Sequence, residues 1–151
     1  MNKTLKFILI SIASIAILLL AIQLIPVQRQ NPPVVTQIQW DSPQTQALFM
    51  RACGDCHSNE TTWPWYSYVA PASWLISHNV SEGRRRFNVS ELNTSSNRLG
   101  RLTSEFERAI SGNRMPPAQF TVIHPDARLT SDEKQALIAG LKATFTNPQI
   151  Q

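Results

Sequence analysis

Two cysteines and a histidine stand together at Cys53-Gly54-Asp55-Cys56-His57, and these are the chain's only two cysteines. The spacing is C-x-x-C-H. On a helix, residues three and four apart share a face. Two thiols on one turn can add to the two vinyl groups of a haem while the adjoining imidazole reaches the iron. The pattern therefore reads as one covalent haem c. Cys53 and Cys56 would give the thioethers, and His57 would be the proximal iron ligand. Other chemistries fit less well. An iron–sulfur cluster needs four cysteines. A thioredoxin-type redox pair follows a strand, and none precedes Cys53. Zinc would need both cysteines and two of the three histidines, with no local His-x-x-x-His partner. A plain disulfide would make His57 a coincidence.

A haem iron held by His57 has a second axial position. Met115 is the first candidate for it. It lies in Asn113-Arg114-Met115-Pro116-Pro117, where two prolines stiffen the backbone just after a soft thioether. His124, which also precedes a proline, is the alternative distal ligand. His78 reads as an exposed helix residue, and Met50 is too close to the motif to cross the ring. A macrocycle also needs a wall. Trp63-Pro64-Trp65-Tyr66-Ser67-Tyr68 is dense in aromatics, and Trp63, Trp65 and Tyr66 are the cofactor-binding candidates there. Arg84-Arg85-Arg86 reads mainly as a solvated face, with one arginine able to pair with a propionate.

The elements that must position these residues are helical. Ser42-Pro43 suits a helix start, with serine as cap and proline in the first turn. Ala47, Leu48 and Ala52 give that helix its apolar face as it enters the motif. The aromatic run, with Pro64 and Pro71, predicts a loop. A second helix is predicted over 72–86, led by Trp74, Leu75 and Ile76, with Gly83 weakening it by about 1 kcal/mol. Asn88–Leu92 reads as a capped turn and Asn93–Asn97 as a polar loop. Leu102, Phe106, Ala109 and Ile110 form one stripe of a third helix over 98–111, stopped by Gly112. Thr130 and Glu133 fit a capping box. The helix after it carries Leu137, Ile138, Leu141 and Phe145 and stops at Asn147-Pro148. In this scheme the first and last domain helices cross, through Ala47 or Leu48 against Leu137 and Leu141.

Upstream, Phe7–Ile25 is an apolar run broken only by Ser11, Ser14 and Gln23. As a helix it spans about 28 Å, close to a hydrocarbon core. Lys3 and Lys6 precede it and no basic residue follows until Arg29. The positive-inside bias then places the N-terminus in the cytoplasm and the remainder outside. Residues 1–25 are read as a membrane anchor, or as a signal if cleaved. Residues 26–40, with Pro32-Pro33, read as an extended tether, and Trp40 could anchor its far end on the domain. Residues 41–151 form the haem domain. All ten acidic residues and all but two of the fourteen basic ones lie beyond residue 25. That leaves the exported part near neutral once two propionates are added. No basic face with interleaved aromatics appears, so nucleic acid is not an expected partner, and no second metal is expected.

The run ACGDCHSNETTWPWYSYVAPASWLISHNVSEGRRRFNVSEL, Ala52 to Leu92, resembles a small bacterial haem-binding domain family of membrane-anchored, cytochrome c-like monohaem proteins. So does the block from Gly112-Asn113-Arg114-Met115-Pro116-Pro117 through His124-Pro125 to Thr130. Cys-His-Ser-Asn and Trp-Pro-Trp-Tyr-Ser are far more specific than C-x-x-C-H alone. Leu92 departs from the pattern, where the similar run usually ends in tryptophan. The resemblance implies haem attachment at Cys53, Cys56 and His57, and a Met-Pro loop at Met115. The expected fold is all-α, a cytochrome c-like haem-wrapping domain behind an N-terminal transmembrane helix. The expected function is periplasmic electron transfer with a redox protein partner, an electron carrier more than an enzyme. The alternatives are a haem enzyme, peroxidase-like or acting on nitrogen oxides, and a haem-based sensor with an open distal site.

Overall fold

The computed structural model describes residues 2–92 and 96–146. The loop read over Asn93–Asn97 lies partly outside them, and the stop at Asn147-Pro148 wholly so. Among the described residues the regular structure is helical throughout, without strands, so the all-α expectation holds. Helix α1, Lys3–Ile22, is apolar all round and none of its residues is buried. It is long and apolar enough to cross a membrane.

Helix α2, Pro43–Phe49, starts as its sequence demands. Ser42 is extended, and its hydroxyl accepts from the Thr45 amide at 3.2 Å. α2 runs without a break into a π-helical turn, Met50–Gly54, and then into α3, Asp55–His57. Thr45, Leu48, Phe49 and Ala52 are buried along this rod, whereas Ala47 faces outward. The expected face was therefore one position off at its start, and Leu48 makes the contact. Its partner is α7, Ser131–Thr146, through the buried Leu137 and Leu141. The two helices approach closely because Gly140 has no side chain there. A Cβ on it would lie 2.0 Å from the Thr45 hydroxyl oxygen. The capping box at the head of α7 forms in both directions, Thr130 amide to Glu133 at 2.8 Å and Glu133 amide to Thr130 Oγ1 at 3.2 Å. Glu133 also pairs with Arg51 beside the motif.

Helix α5, Ser96–Ser111, packs on α7 with Leu102 and Ile110 buried. Four phenylalanines close the core. Phe87 stands edge-on to Phe49, Phe106 and Phe145, at centroid distances of 6.1, 4.7 and 5.8 Å. The Trp40 ring packs at a tilt against Phe49, centroids 5.1 Å apart, which fastens the end of the extended segment 26–40.

Two elements depart from expectation. The first is that segment. It is extended, but it lies along the domain as a strap instead of spanning free space. The Val35 and Thr36 amides both donate to the Ser90 carbonyl, at 2.8 and 2.9 Å. Arg84 donates to the Gln30 carbonyl at 2.7 Å and to Asn31 Oδ1 at 2.9 Å. Backbone groups of this proline-containing stretch, with the Asn31 side chain, supply pairings that apolar periodicity does not reveal. The second is α4, Ala72–Arg86. Its bounds are as predicted, but its buried face is Ser73, Val80 and Gly83, not Trp74 and Leu75. Those two apolar residues point away from the core. A short helix α6, Ala118–Ile123, follows the Met115 loop and was not expected.

Candidate functional site

Cys53 sits in the π-helical turn, and Cys56 and His57 in the α-turn after it. A π-turn inserts one residue into the helical ladder, a device often found where a helix presents functional groups. Both cysteines are free and half-buried. Burial, then the neighbouring Cys56, pushes the Cys53 thiol up to about 12. Burial and the Asp55 charge, opposed by Arg84, push Cys56 up to about 11. At neutral pH both are therefore held as protonated thiols. Among the described residues no cluster of three or more His, Cys, Asp or Glu could hold a metal ion unaided.

His57 is oriented by the backbone. Its Nδ1 lies 3.0 Å from the Phe87 carbonyl. A carbonyl can only accept, so Nδ1 carries the proton and Nε2 keeps its lone pair. Burial lowers the imidazole pKa, against the support of the Phe87 and Gly83 carbonyls, so the ring stays neutral. Nε2 finds no hydrogen-bond partner among the described residues. A neutral imidazole with a backbone-fixed Nδ1–H and an open Nε2 is the form that ligates iron. With two reduced thiols beside it, the donor set fits a covalently held haem.

Gly83 and Phe87 were not singled out as site residues, yet they set this geometry. A Cβ on Gly83 would meet the Cys56 carbonyl oxygen at 2.3 Å and Cys56 Cβ at 2.9 Å. Only glycine lets α4 lie this close to the motif, and α4 ends by delivering the Phe87 carbonyl to His57. A glycine inside an otherwise sound helix was the available signal for the first. A backbone carbonyl leaves none for the second.

The residues after the motif lock it in place. Ser58 Oγ donates to the Gly54 carbonyl at 2.8 Å and is fully buried. The Asn59 amide donates to Ser90 Oγ, and its side-chain nitrogen reaches the Pro33 carbonyl and Glu91, at 2.9, 2.9 and 2.8 Å. Thr61 Oγ1 donates to the Asp55 carbonyl at 2.6 Å. These bonds explain why a Cys-His-Ser-Asn string carries more information than C-x-x-C-H.

The aromatic candidates divide. Trp63 donates its indole N–H to Asn31 Oδ1 at 3.1 Å and so serves the strap. Trp65 is 77% exposed, on a 3-10 turn over Trp65–Tyr68. Burial, and then the Asp55 charge, raise the pKa of Tyr66. Its hydroxyl is 2.5 Å from His124 Nε2, and the His124 ring stacks on Phe120 at 4.4 Å. The turn after His124, Pro125–Ala127, packs on Met50–Gly54. The fold thus brings Tyr66 and His124 together beside the motif, with Tyr66 occupying the histidine nitrogen that an iron would use. Met115 is half-buried in a fastened loop. The Arg114 and Met115 amides both donate to the Ala109 carbonyl, at 2.9 and 3.1 Å. Lys134 holds Asn113 from α7 at 2.6 Å. His78 lines a shallow cleft with Trp74 and Pro26, away from the motif. The three consecutive arginines divide between two tasks. Arg84 holds the strap and the Ser58 carbonyl, and Arg85 and Arg86 pair with Glu82.

A family model described as a haem-binding domain matches residues 17–143. No curated protein and no solved structure matches the chain.

Proposed function

The chain belongs to the haem-binding domain family, and from that membership we propose that it is a membrane-anchored, periplasmic-side c-type monohaem protein that carries electrons. The observation behind the covalent reading is the pairing of two free thiols with a histidine whose tautomer is fixed by Phe87. Cys53 and Cys56 would each add S–H across a haem vinyl group, giving two thioethers and consuming both thiols. His57 Nε2 would hold the iron, while Phe87 keeps the ring from turning. Haem held in this way supplies a one-electron couple between ferrous and ferric iron. The chain's own contribution is to fix the axial donors and shield the ring. Met115, on a loop tied to Ala109 and α7, would supply the second protein donor to the iron, and its stiff setting suits a site that changes charge without changing ligands. The partner would be a redox protein meeting the exposed edge. Lys3 and Lys6 before α1 support an outward-facing haem domain.

The Tyr66–His124 bond favours a second reading, a haem enzyme with an open distal side. It is a ready proton donor and acceptor pair next to the motif. The ferric absorption spectrum separates the two. For the carrier, the full-length protein shows low-spin iron with a thioether charge-transfer band that Met115→Ala abolishes. Wild-type protein that is high-spin when ferric, and that binds carbon monoxide readily once reduced to the ferrous state, would overturn the carrier reading.

A further inference from the structure

We infer that the face around the exit of α1 rests in the interfacial layer of a lipid bilayer, so that the haem domain is held against the membrane in one orientation. The inference rests on reading α1 as a membrane span. Its observations are separate from the haem motif.

The end of α1 is clamped to the domain. Gln23, at the C-terminal cap of α1, donates from Nε2 to the Ala70 carbonyl at 3.2 Å and accepts at Oε1 from the Ala70 amide at 2.9 Å. A two-way bond of this kind fixes direction as well as distance. Six residues further on, in the extended segment, Arg29 donates to the Ser67 carbonyl at 3.2 Å and lies over the Tyr68 ring, 4.5 Å from its centroid. The family match also begins at residue 17, inside α1. The last turns of α1 are thus part of the matched unit.

The clamp sets the depth of what surrounds it. Ala70 is tied to the end of a 20-residue apolar helix, and exposed apolar residues flank it on both sides in sequence. Trp65 and Tyr68 are three apart on a 3-10 turn, where such residues eclipse and share a side. Val69 and Leu75 are also exposed, as is Leu24 on the chain leaving α1. Trp74, on the outward face of α4, lines the cleft with Pro26 and Val27. A tryptophan, a tyrosine and aliphatic side chains beside the end of a span match the composition of a membrane interface, where amphipathic rings sit at headgroup level. Arg29 adds a cation among them, suited to lipid phosphate. The outward turn of Trp74 and Leu75 on α4, unexplained by the core, has its account here.

Full-length haem-loaded protein in nanodiscs, made with a phosphatidylcholine carrying a photoactivatable diazirine near the ester end of one acyl chain, tests this by peptide mapping after illumination. The expected map has lipid adducts on residues 17–25 and on 65–75, the latter about tenfold above those on α5 and α7. Gln23→Ala should lower the yield on 65–75 several-fold relative to 17–25. Adducts on 17–25 with none on 65–75 would overturn the inference and leave the anchor standing. Adducts on neither would overturn both. Cross-links between two copies through 65–75 would overturn it as well, since another chain would then hold that face.

Discussion

Replacing Gly83 by alanine should damage this protein, whereas the same change at Gly100 should strengthen it. Both glycines lie inside helices, α4 and α5. Alanine is favoured over glycine in a helix interior by about 1 kcal/mol. At Gly100 an added Cβ meets nothing within 4 Å among the described residues, so this gain should be realised in full. At Gly83 the Cβ would lie 2.3 Å from the Cys56 carbonyl oxygen. That neighbour is backbone and cannot swing aside. α4 must move off the motif, at an overpacking cost of about 1–3 kcal/mol. The same shift stretches the 3.0 Å bond from His57 to Phe87, a further loss of about 1 kcal/mol. Net of the helix gain, Gly83→Ala should lose about 1–3 kcal/mol, so the two variants should differ by about 2–4 kcal/mol. Denaturant unfolding of the full chain in detergent, followed by circular dichroism, measures both. Gly83→Ala as stable as the parent would refute the close seating of α4 on the motif, and with it the account of how His57 is oriented.

Two further outcomes follow from the site's polar groups. Arg84→Lys keeps the charge but cannot reproduce the fork that reaches Ser58, Gln30, Asn31 and Thr61. Limited proteolysis should then cut within 27–35 faster than in the parent, and an unchanged cleavage rate would show that the strap does not depend on it. Without haem, His57 is held neutral by burial, with its folded pKa below the ordinary 6.5. The unfolded chain therefore binds the extra proton first as pH falls. Stability is fully present above about pH 6.5 and declines on acidification below it, by at most about 1.4 kcal/mol per pH unit from this residue. In chain expressed without haem attachment, His57→Gln should flatten that decline. A slope that survives the change would assign it to other groups.

The framework of the domain was legible in the sequence because its signals are local. Ser42-Pro43, the Thr130–Glu133 box and the Leu102–Phe106–Ile110 stripe each mark a helix through residues a few positions apart. The C-x-x-C-H spacing is equally local. What escaped was set by long-range packing. Trp74 and Leu75 look like core residues on α4, but Gly83 decides which face of that helix turns inward. Residues 26–40 have no periodicity, so nothing nearby announces that Ser90, Asn59 and Arg84 will bind them. The tautomer of His57 depends on a carbonyl thirty residues away. The Tyr66–His124 pair spans 58 residues, and only the folded chain joins them.

The proposed covalent attachment of haem is tested most directly by denaturing electrophoresis with haem staining, together with the intact mass of the chain. Protein from a host that assembles c-type cytochromes should run as a single haem-stained band, with the mass of the chain plus one haem. The Cys53→Ala, Cys56→Ala double variant should lose both the stain and the added mass. Wild-type protein that releases its haem on denaturation, or a double variant that retains it, would contradict the account.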